Sequence, residues 1–252
     1  MKKVRYIIVW LPVLWWAVAL QAQETEVKAA EEAYAAGEFI AAAEKYEALL
    51  LTYGESPQIR YNLGNAYYKA GKIAPAILHY ERALLLNPGD ADIRFNLQLA
   101  REKVIDRIEP VGQFFLVRWY LSVQDMGKAD AWAKAGIGAF LLFVGCMALF
   151  VFAGRVALKK LGFYTGLGLL AIVAVTNIFA RNQKNKLLQR NSAIVFAPTV
   201  TVKSSPDASG TDLFVLHEGT KVTVRSTLGR WSEIELADGN IGWMQGKDFE
   251  VI

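Results

Sequence analysis

The chain has 252 residues, 54% of them hydrophobic, a net charge of +4 at pH 7 and one cysteine. A single cysteine excludes an internal disulfide and a thiolate metal cluster. Residues 109–190 carry 10 basic against 3 acidic side chains, whereas 24–108 and 191–252 are each mildly acidic. Lysines and arginines beside apolar stretches meet lipid headgroups or set topology, so the basicity is not that of a nucleic-acid binder.

Residues 1–22 read as a secretion signal. Lys2, Lys3 and Arg5 give the charged start, Tyr6 to Ala19 the apolar stretch, and Ala22 a small residue at which to cut. An uncleaved anchor is the alternative, and it would orient the following segment the same way.

Residues 23–108 repeat at a period of 34. Tyr34 and Tyr68, Gly37 and Gly71, Ala42 and Ala76, and Tyr46 and Tyr80 are each 34 apart, as are Arg60-Tyr-Asn-Leu63 and Arg94-Phe-Asn-Leu97. That is the length of a helix-turn-helix unit in a stacked solenoid. The run from Tyr61 to Pro88 resembles the tetratricopeptide (TPR) consensus, with small residues at Gly64, Ala76 and Ala83, a turn glycine at Gly71 and a closing Pro88. A third unit keeps its first helix, expected over Asp92 to Ile108 with an apolar face at Phe95, Leu99, Ile105 and Ile108, giving about two and a half repeats. The resemblance implies a concave groove that binds peptide segments or partner helices. Its candidate lining is Tyr61, Asn65, Tyr68, Lys69, Phe95 and Leu99.

Residues 109–130 include Phe114-Phe-Leu-Val-Arg-Trp-Tyr-Leu121, whose aromatic residues suit a membrane interface. A short helix tucked against the repeat is the other reading. Two spans follow. Ala135 to Gly154 and Leu161 to Ala180 each contain twenty residues without a formal charge, enough helix to cross a bilayer core of about 30 Å. These place transmembrane helices at 132–154 and 161–180, joined by a short basic loop with Arg155, Lys159 and Lys160. A hairpin puts both flanking segments on one side, and an export signal makes that side the periplasm. Arg181, Lys184, Lys186 and Arg190 run against the positive-inside bias in this orientation. The inverted orientation, with both segments cytoplasmic, would satisfy it.

Residues 191–252 alternate apolar and polar positions at Val200/Val202, Val222/Val224 and Ile234/Leu236, between turn signals at Gly210, Gly219, Gly229 and Gly239. About five short strands are expected, closing as a small barrel. VKSSPDASG, LHEGTKVTV and GRWSEIELADGNIGWM resemble the bacterial SH3 domain, which implies a cell-wall or protein ligand, with Trp231 and Trp243 as the candidate surface.

Catalytic residues, a metal site and a cofactor are not expected. The two histidines, His79 and His217, fall in different segments, His79 at an outward position of the repeat, and GxxxxGK[ST] does not occur. The fold class is thus a multidomain membrane protein: an all-α TPR solenoid, a two-helix transmembrane hairpin and an all-β SH3-like barrel. This order resembles the TPR and SH3 members of the Bat aerotolerance operon proteins of Bacteroidetes. That resemblance implies a non-enzymatic inner-membrane scaffold facing the periplasm, with von Willebrand factor A type membrane proteins as partners. A cell-wall sensor whose barrel binds peptidoglycan is the alternative.

Overall fold

The computed structural model describes residues 22–252, so the expected signal lies, Ala22 apart, outside the described residues. The chain forms two compact units. Among the described residues, one comprises 22–84, Ala91–Pro110 and Asn191–Ile252; the other comprises Leu85–Asp90 and Val111–Arg190.

The first unit begins with α1 over residues 22–35, α2 Phe39–Tyr53, α3 Pro57–Lys69, α4 Ile73–Leu86 and α5 Ala91–Arg101. Gly37 and Gly71 hold φ of 82° and 75° in the equivalent turns α1–α2 and α3–α4, a left-handed conformation that β-carbon-bearing residues resist. At the start of α3, Ser56 Oγ accepts from the backbone N–H of Ile59 and Pro57 occupies the first turn, where its missing N–H costs nothing. Alanines let the helices close up: Ala30, Ala33, Ala42 and Ala43 are buried with Tyr46, Leu49, Ile59, Leu63 and Ala66 in one core.

The third unit departs from expectation. α5 stops at Arg101, and it buries Ile93, Leu97 and Ala100. Phe95 and Ile105 are 63% and 69% exposed. Beyond Arg101 the chain leaves the helix because its apolar residues have a better partner than the stack. Val104 lies against the turn at Gly219, and Ile108 packs on the barrel core.

That barrel has seven strands rather than five: β1 Ser192–Val195, β2 Thr199–Lys203, β3 Asp212–His217, β4 Lys221–Leu228, β5 Trp231–Glu235, β6 Ile241–Gln245 and β7 Phe249–Val251. Their order is β3-β2-β6-β5-β4-β1-β7, with every pairing antiparallel. Alternate residues point inward, placing Val200, Val202, Leu216, Val222, Ile234 and Met244 in the core. β1 and β7, which no alternation marks, are short and pair with each other.

The second unit contains α6 Phe115–Gln124, α7 Ala129–Phe152 and α8 Val156–Leu188. α7 and α8 form an antiparallel hairpin packed through small residues. A β-carbon at Gly136 would stand 2.9 Å from Thr176 Oγ1, and one at Gly162 would stand 2.7 Å from the carbonyl oxygen of Cys146. Only 11% of the apolar window of α7 and 17% of that of α8 are buried. Outward-facing apolar side chains on helices of this length are what a bilayer requires, and both helices are long and apolar enough to cross one. Trp132 and Tyr120 pack edge-on against Phe179, at ring-centroid separations of 4.9 and 5.2 Å, which ties α6 to the hairpin.

Candidate interaction sites

The repeat brings some of the candidate groove residues together. Asn96 Nδ2 donates to Tyr61 Oη (2.8 Å) and to Asn65 Oδ1 (3.0 Å), and Tyr80 Oη donates to the same Asn65 oxygen (2.7 Å). Tyr61 and Asn65 therefore join α3, α4 and α5 internally. Lys69 and Phe95 are exposed, while Tyr68 and Leu99 are half-buried. Asn96 was not among the candidates, although its place in Arg94-Phe-Asn-Leu97, the copy of Arg60-Tyr-Asn-Leu63, marks it.

His79 is not outward. It is 6% exposed, its ring stacked on Tyr67 at 5.5 Å and 8°, with Nδ1 accepting from Arg60 at 2.9 Å. Burial, then the nearby Arg60 and Arg82 charges, lowers its pKa to about 3, so the imidazole is neutral. Arg60 is held in turn by Glu55, with contacts of 2.6 and 2.8 Å.

The repeat and the barrel share an interface built from charges. Glu81, on α4, accepts from Arg101 of α5 and from Lys221 of β4, the latter at 2.8 Å. Burial alone would raise the Glu81 pKa, but Lys221 and Arg101 together bring it below the ordinary value. Arg82 donates to Glu250 and to the carbonyl of Val251 in β7, at 2.9 and 2.6 Å. Asp106 accepts from the backbone N–H of His217 (2.7 Å), from its Nδ1 (2.7 Å) and from Thr220 Oγ1 (2.6 Å). Burial opposes the ionisation of Asp106, but these hydrogen bonds outweigh it and hold the carboxyl below its ordinary value.

On the barrel, Trp231 and Trp243 are both half-buried and lie on the outer face of adjacent strands. Among the described residues no group of three or more His, Cys, Asp or Glu gathers as a metal site would.

Residues 57–90 match the tetratricopeptide repeat family, and residues 198–250 match the bacterial SH3 domain. No curated protein matches the chain. Among solved structures it is similar to the Yersinia enterocolitica type III secretion chaperone SycD in complex with a peptide of the translocator YopD. The identity is 18% over 60% of this chain and 92% of that one, with a TM-score of 0.31. It is also similar to MamA, at 17% identity over 64% of this chain and 96% of that one, with a TM-score of 0.28. The chain thus combines a TPR repeat and a bacterial SH3 domain, modules that typically bind rather than catalyse, with two helices suited to a membrane.

Proposed function

We propose that the chain is a non-enzymatic inner-membrane scaffold that recruits protein partners on the periplasmic side through its TPR groove and SH3-like barrel. It acts within a Bat-type aerotolerance or envelope-stress complex, beside von Willebrand factor A type membrane proteins. The observation that carries the scaffold reading is that the repeat and the barrel are one compact unit, although the chain between them forms two apolar helices. A polypeptide that leaves a folded body at Pro110, runs through a hairpin and rejoins that body at Asn191 keeps both recognition modules on one side of a bilayer. The periplasmic side follows from the secretion signal, and bacterial SH3 domains are typical extracytoplasmic modules.

The basic segment after α8's apolar stretch weighs less against this orientation than its sequence suggests. Lys186 donates to Asp125 at 2.8 Å, and the amide of Gln183 donates to the same oxygen at 2.8 Å, so one of the four cations is already paired. Reporters active only in the periplasm or only in the cytoplasm, fused after Ile108 and after Ile252, test the placement. Periplasmic signal from both is expected, and cytoplasmic signal from both overturns it.

The bacterial SH3 match over residues 198–250 also favours a second reading, a wall sensor whose barrel binds peptidoglycan. Sedimentation of the detergent-solubilised chain with purified wall separates the two, since only the sensor co-sediments.

A further inference from the structure

The outer face of β5 and β6 gathers two indoles around a carboxylate. Ser232 and Ile234 of β5 and Gly242 and Met244 of β6 are buried, so Trp231, Glu233 and Glu235 share the opposite face with Ile241, Trp243 and Gln245. Glu233 stands directly opposite Trp243, and Trp231 lies one diagonal step away, opposite Gln245; side chains so placed are within reach of a common ligand. One row across the sheet reads Ser226, Glu233, Trp243, Lys203 and Asp212. Lys203 is committed elsewhere, donating to Asp212 Oδ1 at 2.7 Å and to the carbonyl of Gly210 at 3.1 Å. Glu235 has Arg225 at 3.7 Å. Among the described residues Glu233 accepts from the neutral hydroxyl of Ser226 alone, at 3.2 Å, and no basic side chain forms an ion pair with it.

We infer that Trp231, Glu233 and Trp243 form a subsite for a primary amine on an aliphatic stem, and that its occupant is a lysine-bearing peptide segment. The stem lies on the indoles, the ammonium meets a ring face, and the carboxylate supplies a charge-assisted hydrogen bond. One Glu233 oxygen is already engaged by Ser226, which suits a point-charge ammonium better than the two-pronged guanidinium. The barrel's excess of acidic over basic residues, 8 against 5 in 191–252, favours a cationic ligand over an anionic one. The inference rests on the barrel face being a ligand surface, and it adds the chemistry of the ligand.

The test is saturation-transfer NMR on the full chain in nanodiscs, with acetyl-Ala-Lys-Ala-amide, with the same peptide Nε-acetylated, and with a wall stem peptide. Transfer to the lysine δ and ε protons is expected, absent after acetylation and reduced about fivefold by Glu233→Gln, the loss of one charge-assisted contact. The glutamine retains an acceptor for Ser226, and added salt weakens transfer to the native chain in parallel, so the outcome does not depend on one variant. Transfer that survives both acetylation and Glu233→Gln overturns the amine subsite while leaving the face a ligand surface. Transfer from the wall peptide alone overturns the lysine peptide as occupant, and transfer from no peptide overturns the ligand surface itself.

Discussion

A methyl group added at Gly64 would stand 2.7 Å from Cδ1 and Cε1 of Tyr80, and that ring is buried and pinned by its hydroxyl to Asn65. Gly64→Ala should therefore force the repeat apart and cost about 1–3 kcal/mol of overpacking, seen as a lower unfolding midpoint. Phe95→Ala is the opposite case: the side chain is 63% exposed, so the midpoint should hold while partner capture falls, if the groove is the contact surface. His79 gives a pH dependence whose sign is fixed by its burial. Its pKa is about 3 folded against 6.5 for the free side chain. Above pH 6.5 it is neutral in both states and contributes nothing to the balance. Below that the unfolded chain takes the proton first, so stability falls with pH by up to about 1.4 kcal/mol per unit until the folded ring protonates. Urea midpoints between pH 7 and 4 should show this slope, and His79→Gln should flatten it. The spacing that exposed the repeat did not reveal this burial, because Tyr67 and Arg60 of α3 reach across the helix pair onto the ring, a contact that no spacing within α4 announces.

Elements were legible wherever their own periodicity carried the signal. The 34-residue register led to the helix pairs and their turn glycines, uncharged length to the hairpin, and alternation to β2, β4 and β5. The end of α5 was not legible, because Val104, Asp106 and Ile108 serve a barrel that begins some eighty residues later and no local pattern announces so distant a partner. β1 and β7 were missed for the same reason, being short strands defined by each other. Asp106→Ala should leave the His217 N–H and the Thr220 hydroxyl without their acceptor, a loss of about 2 kcal/mol, and amide exchange at residues 217–221 should accelerate more than in the rest of the barrel. In the hairpin, any side chain larger than hydrogen at Gly162 meets the backbone of Cys146 and Phe150. Thr165 Oγ1 lies 3.3 Å from Cys146 Sγ, so Thr165→Cys should crosslink to the native cysteine on oxidation, and Gly162→Leu should abolish that crosslink by parting the helices.

At the scale of the whole molecule, the candidate binding faces were readable only as separate lists, one per domain, whereas Glu81, Arg82 and Asp106 join their carriers into one body. Residues 22–110 and 191–252 joined by a flexible linker in place of the hairpin should therefore elute as a single compact monomer with one cooperative transition. Two transitions would mean that the interface does not hold without the membrane segment. Because that body is interrupted in the chain, its assembly has an order. The ribosome finishes the repeat first, and Val104, Asp106 and Ile108 wait without partners until the hairpin and then the barrel have been made, a delay on the order of ten seconds at ordinary translation rates. The finished interface is thus a record of successful insertion: a chain whose hairpin fails to return to the same side cannot bring Val104, Asp106 and Ile108 onto the barrel.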